Sequence, residues 1–219
     1  MIALLGYQCG LLFRSHRWVF PLIVYAALIS VGGAGSGGQS LSEGLDWSAA
    51  ILVPVVALLT RSMLTAEPGA ARACVAVVSG PARAQLATLI TAFAAGVLAG
   101  LAGAGYELLT SGHQTGLLSP LVAGLSTALV CVLVGSAVGA LFNPPLIRHP
   151  AAALLCTMGA VVVAWVSGIS PASAALHNSS AVVQSAAWPT GVPLAAAAAL
   201  AAVAWVVSCW LAGRRGEAT

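Results

Sequence analysis

Residues 117–142 read LLSPLVAGLSTALVCVLVGSAVGALF, twenty-six positions without a formal charge, and Asn143-Pro144-Pro145 follows directly. At about 1.5 Å per residue such a run exceeds the roughly 30 Å hydrocarbon core of a bilayer, so it reads as a helix that crosses one. The prolines stop it, because they lack amide donors and restrict the residue before them. Further apolar runs lie at about 18–34, 47–66, 86–106, 151–169 and 192–212. Across the chain 60% of residues are hydrophobic and 6% are charged, whereas a soluble domain carries about 25% charged residues. The expected fold is an all-α integral membrane protein with six transmembrane helices, one transmembrane domain over 1–219 that leaves little chain for a soluble domain.

The charges are few enough to place one by one. The eight basic residues are all arginine. With the six runs taken in order, Arg14, Arg17, Arg61, Arg72, Arg83, Arg148, Arg214 and Arg215 fall on a single side. The positive-inside rule makes that side cytoplasmic and puts both termini there. Glu43, Asp46, Glu107, His113 and His177 fall outside, with Glu107 placed in a short loop after residue 106. No basic cluster suits nucleic acid. A signal peptide runs from basic to apolar, and here Met1–Phe13 precedes Arg14 and Arg17, so this segment is expected to stay on the mature chain.

Cys9, Cys74, Cys131, Cys156 and Cys209 are widely separated, without the paired spacing of a zinc site, and read as small apolar packing residues. No external segment contains a cysteine, which excludes a disulfide there. No span has an acid near its middle, where ion-coupled carriers place one. The polar residues in the runs, among them Thr60, Thr88, Ser126, Ser136 and Ser208, read as hydrogen-bond partners between helices. Gly124-Leu125-Ser126-Thr127 lacks the second glycine of an intramembrane serine protease motif, and a chain without lysine cannot contain a phosphate-binding P-loop. Catalysis and nucleotide binding by this chain are therefore not expected: no catalytic residue, cofactor or metal is assigned.

The longest charged connection, residues 67–85, carries the remaining signal. Glu67, Gly69, the apolar stretch Val75 to Val78, Ser79-Gly80-Pro81 and Arg83 stand in the order of the cytoplasmic loop in the ABC type-2 permease family, which this chain resembles. Ile2, Leu5, Cys9, Leu12 and His16 share one helical face, matching that family's interfacial N-terminal helix over residues 1–17. Ile169-Ser170-Pro171 resembles the opening of its long external segment, often folded as re-entrant helices; Pro171, His177, Trp188 and Pro189 mark it here.

The resemblance implies the permease subunit of an exporter in the cell membrane, plausible for a bacterium, working with a second copy or paralogue as a dimer. It implies cytoplasmic ABC ATPase subunits as partners, which would hold the ATP and Mg. Residues 67–80 would form a coupling helix, with Val75, Val77 and Val78 in an ATPase groove and Glu67 and Arg72 orienting it. An apolar lining would suit an amphipathic or hydrophobic cargo. Two other readings stay open, a ligand-binding membrane subunit of a vitamin uptake system and an intramembrane enzyme or assembly subunit.

Overall fold

The computed structural model describes residues 2–35, 40–67, 69–111, 118–142, 149–167, 170–182 and 191–216. Among them the chain is helical throughout. The elements are α1 (Ile2–Ser15), α2 (Val19–Gly35), α3 (Leu41–Leu64), α4 (Gly69–Ser79), α5 (Pro81–Thr110), α6 (Leu118–Leu141), α7 (Pro150–Val166), α8 (Pro171–Val182) and α9 (Gly191–Gly216). Four of these, α3, α5, α6 and α9, are long and apolar enough to cross a membrane, and α1 with α2 makes a fifth if that bent pair counts as one passage. At 17 residues each, α2 and α7 rise about 26 Å, short of a full hydrocarbon core.

α3 lies at the centre. α6 and α5 pack along it, and α2, α7 and α8 also reach it. Leu52, Val53, Val56 and Ala57 are buried without residual exposure. Small residues on the neighbours permit this enclosure. A Cβ on Gly135 of α6 would stand 2.7 Å from the Val53 carbonyl oxygen, and one on Gly139 would stand 2.8 Å from that of Ala57. Two backbones thus touch across a Gly-xxx-Gly pair, the device that lets helices approach in lipid. On α5, Gly96 and Gly100 admit Val56 and Leu52 in the same way.

The ends of the helices follow from local chemistry. Glu43 accepts a hydrogen bond from the Ser40 amide at 3.1 Å and so satisfies one orphan donor at the start of α3. At the end of α1, His16 takes a left-handed conformation, φ 52°, which closes the helix and permits the 70° bend into α2. Gly80, φ 83°, makes the corner between α4 and α5, and Pro81 opens α5 where its missing amide costs nothing. α9 is held along α6 and α5: Trp205 packs edge-on against Phe93 with centroids 5.8 Å apart, and Gln85 Nε2 donates to Ser208 Oγ at 3.0 Å.

One sequence expectation changes. Glu107 does not stand in a loop, because α5 continues without a glycine or proline to Thr110 and carries the carboxyl inside the bundle. The segment after α7 holds a short helix, as the resemblance implied, and that helix packs into the bundle: Ala172 and Ala175 of α8 enter the main core with α3, α6 and α9, and Ser173 donates to the Ser167 and Ser170 carbonyls at 2.9 Å.

The glycine contacts generate a matched test. Gly135→Ala should lower stability in detergent by about 1–3 kcal/mol through overpacking against backbone that cannot yield. Gly105→Ala, where a Cβ meets nothing within 4 Å, should be neutral or stabilising by up to about 1 kcal/mol, the ordinary gain of alanine over glycine in a helix. Thermal unfolding of the two variants side by side would check this, and equal losses would contradict the packing described.

Candidate partner-docking site

The connection singled out in the sequence folds as a short helix beside the start of α5. Glu67 ends the turn that follows α3, and its Oε1 accepts the Tyr7 hydroxyl at 3.0 Å. One turn of chain away, Arg17 donates to the Thr65 carbonyl at 2.9 Å. These contacts fasten α1 and the α1–α2 corner to the junction between α3 and α4. Leu12 adds an apolar contact there, in a cluster with Met63 and Ala92 against which Trp18 packs. The hydrogen bond to Glu67, burial and the carboxylate's charge, in that order, push the Tyr7 phenol above its ordinary value, so the pair keeps its donor throughout the neutral range.

α4 itself is 11 residues long, about 16 Å, far too short to cross a bilayer. Gly69 opens it, and it ends at Ser79, whose hydroxyl donates to the Val75 carbonyl at 2.7 Å. Val77 and Val78 are 87% and 89% exposed, and Cys74 is exposed beside them. Arg83 is exposed in the first turn of α5. At 100° per residue the helix sets Cys74, Val77 and Val78 on one face and turns Val75 about 200° from Val77. Val75, about 60° from Val78, lies at the edge of that face and is half-buried, less open than the two valines grouped with it in the sequence. Arg72 belongs to α4, but its side chain lies outside the described residues.

The positions marked in the segment after α7 are distributed differently. Pro171 begins α8 and His177 lies on its backbone, while the His177 side chain, Trp188 and Pro189 lie outside the described residues. The site on α4 and that on α8 are therefore separate features, at the two ends of the bundle.

A second polar feature escaped the sequence reading. Glu107 on α5, Ser48 on α3 and Tyr25 on α2 are all buried, and they converge near the end of the bundle remote from α4. The sign available in the sequence was Glu107-Leu108-Leu109-Thr110, which continues the helical run with no breaker before Ser111-Gly112. Among the described residues no group of three or more His, Cys, Asp or Glu side chains is placed to hold a metal ion. No protein family, no characterised protein and no solved structure matches this chain.

Proposed function

We propose that this chain is the membrane-spanning permease subunit of an ATP-driven exporter of the ABC type-2 kind, with energy entering through α4. The observation that supports it best is the pair of nearly fully exposed valines, Val77 and Val78, on a short helix outside the candidate spans. An apolar pair of that kind needs a cover, and Arg83 close by sets it at the membrane surface on the arginine side, where a cytoplasmic protein can supply one. The packing of α4 on α5, with α1 bonded to the connection between α3 and α4, gives a docked partner a handle on the bundle. ATP and Mg belong to that partner ATPase, and a second permease copy or paralogue completes the pathway.

In this reading α2 and α7 complete six passages in a locally thinned bilayer, both termini face the cytosol, and α8 lies in the outer leaflet of the cell membrane. α8 has no charge from Pro171 to Val182, and its backbone groups are satisfied by its own helix as that depth demands. Cysteines introduced at 171–176 should react with a membrane-impermeant thiol reagent in a helical period, slowest at Ala172 and Ala175. Uniform reaction would remove α8 from the membrane.

Truncating a large apolar anchor in a docking groove costs roughly 2 kcal/mol or more, a factor of about 30, and Val77→Asp would add an unpaired buried charge to that loss. The variant should insert normally, since α4 lies outside the spans, yet fail to co-purify with its partner ATPase or to stimulate its hydrolysis. Unchanged association and transport would refute the coupling role. That outcome would favour a second reading supported by the buried Glu107, a carrier coupled to a cation instead of to ATP.

A further inference from the structure

Glu107 is 6% exposed, whereas Glu43 is exposed and Asp46 and Glu67 are half-buried. Its side chain lies against the Cα of Gly44, so that a Cβ there would collide with Oε2. One turn back on α5, Gly103 makes the same allowance for the Tyr25 hydroxyl from α2, which sits beside Ser48. Gly44 with Ser48 and Gly103 with Glu107 are both four residues apart, so two facing stripes on α3 and α5 build one polar seam, and α2 closes it.

Among the described residues the seam supplies no cation to balance a carboxylate, and its one spare donor is the buried Tyr25 hydroxyl, which has no hydrogen-bond partner. Ser48 spends its hydroxyl proton on the Leu45 carbonyl at 2.9 Å, and the Gly44 amide is used by the Ser40 carbonyl. Arg83, on the same helix, is twenty-four residues away, about 36 Å. The charged neighbours on α3 are Glu43 and Asp46, of like sign. α6 brings only the Cys131 thiol, α2 only Tyr25, and α5 itself Tyr106; α1, α4 and α9 meet α5 toward its other end. An ionised carboxyl enclosed without a counter-charge is expensive, and adding a proton removes that cost.

We propose that Glu107 is a proton-binding site whose occupancy is tied to the packing of α2, α3 and α5 at the outer end. With the helices together the carboxyl holds its proton. When they separate, the O–H bond breaks, the proton passes to external water, and the carboxylate is left hydrated. The site acts in this way whether the separation is driven by an ATPase or by another source. Protonation favours the packed arrangement, which is therefore stable at low external pH and lost as pH rises, by up to tenfold per pH unit for one proton.

Infrared spectra of the full-length protein in lipid nanodiscs test the site directly. At pH 7 a protonated-carboxyl C=O band should appear, move on labelling with carboxyl-¹³C glutamate, persist in Glu43→Gln, Glu67→Gln and Asp46→Asn, and vanish in Glu107→Gln. Adding sodium at fixed pH should leave it in place. The absence of a glutamate band in the wild type overturns the proposal even if Glu107→Gln fails to fold, as does a band that survives in Glu107→Gln or is abolished by sodium. The link to packing is read at Ala104→Cys, buried beside the seam. Its labelling by an impermeant thiol reagent, divided by that of Thr110→Cys exposed on the same helix to remove the thiol's own titration, should rise about tenfold per pH unit in the titrating range, and that ratio should become flat with Glu107→Gln. A flat profile in the Glu107 background would refute the coupling.

Discussion

The approach of the α3 and α6 backbones at Gly135 and Gly139 is the constraint on which the other contacts depend. Side chains gain little from leaving lipid for a protein interior, since both are apolar, so helices in a membrane are held by close van der Waals fit and by polar contacts. The two glycines bring Val53 and Ala57 carbonyl oxygens to within van der Waals reach of α6. With α6 seated so closely, Val56 and Leu52 are left to fill the notches at Gly96 and Gly100 of α5, and α3 becomes enclosed along most of its length. Pro54, inside this helix, removes one amide donor but not the packing that fixes its neighbours.

Enclosure of α3 connects the two ends of the molecule. At one end, Thr65 and Glu67 are gripped by Arg17 and Tyr7, and α4 begins directly beyond. At the other, Gly44 and Ser48 share a seam with Glu107 and Tyr25, and Trp47 Nε1 donates to the Leu28 carbonyl of α2 at 3.2 Å. One well-packed helix thus spans the distance from the α3–α4 junction to the seam about twenty residues away. The ends differ in charge as well as in partners, with the described arginines at one and Glu43, Asp46 and Glu107 at the other. Trp210 and Arg214, stacked at 3.9 Å, mark the basic end of α9, where a cation lying over an aromatic ring suits a headgroup layer.

Much of the helix layout was legible in the sequence because it rests on uninterrupted apolar runs and on prolines and glycines that end them. The run at 117–142 became α6 within a residue at each end, and the corner at Ser79-Gly80-Pro81 fell where the turn residues put it. The count of passages was less legible: α2 and α7 have apolar sequences but only 17 residues of helix each, and composition does not fix length. Faces were harder still. Listing Val75 with Val77 and Val78 as one side holds only in part, since a period of 3.6 residues sets Val75 about 60° from Val78 but about 160° from Val77. The helical run through Glu107-Leu108-Leu109-Thr110 hinted that Glu107 was not in a loop, but its seam depends on two glycines, Gly44 and Gly103, that acquire meaning only once α3 and α5 are side by side.

The docking face and the proton site proposed above both require the basic end of the bundle to face the cytosol and its acidic seam to face outside. Fusing a reporter that is active only outside the membrane to the chain after Thr219 tests this orientation most directly. The account predicts no signal there and a strong one when the same reporter is inserted in the 112–117 connection. A strong signal after Thr219 would place α4 on the outer side, away from any cytoplasmic partner, and would contradict the account at its centre.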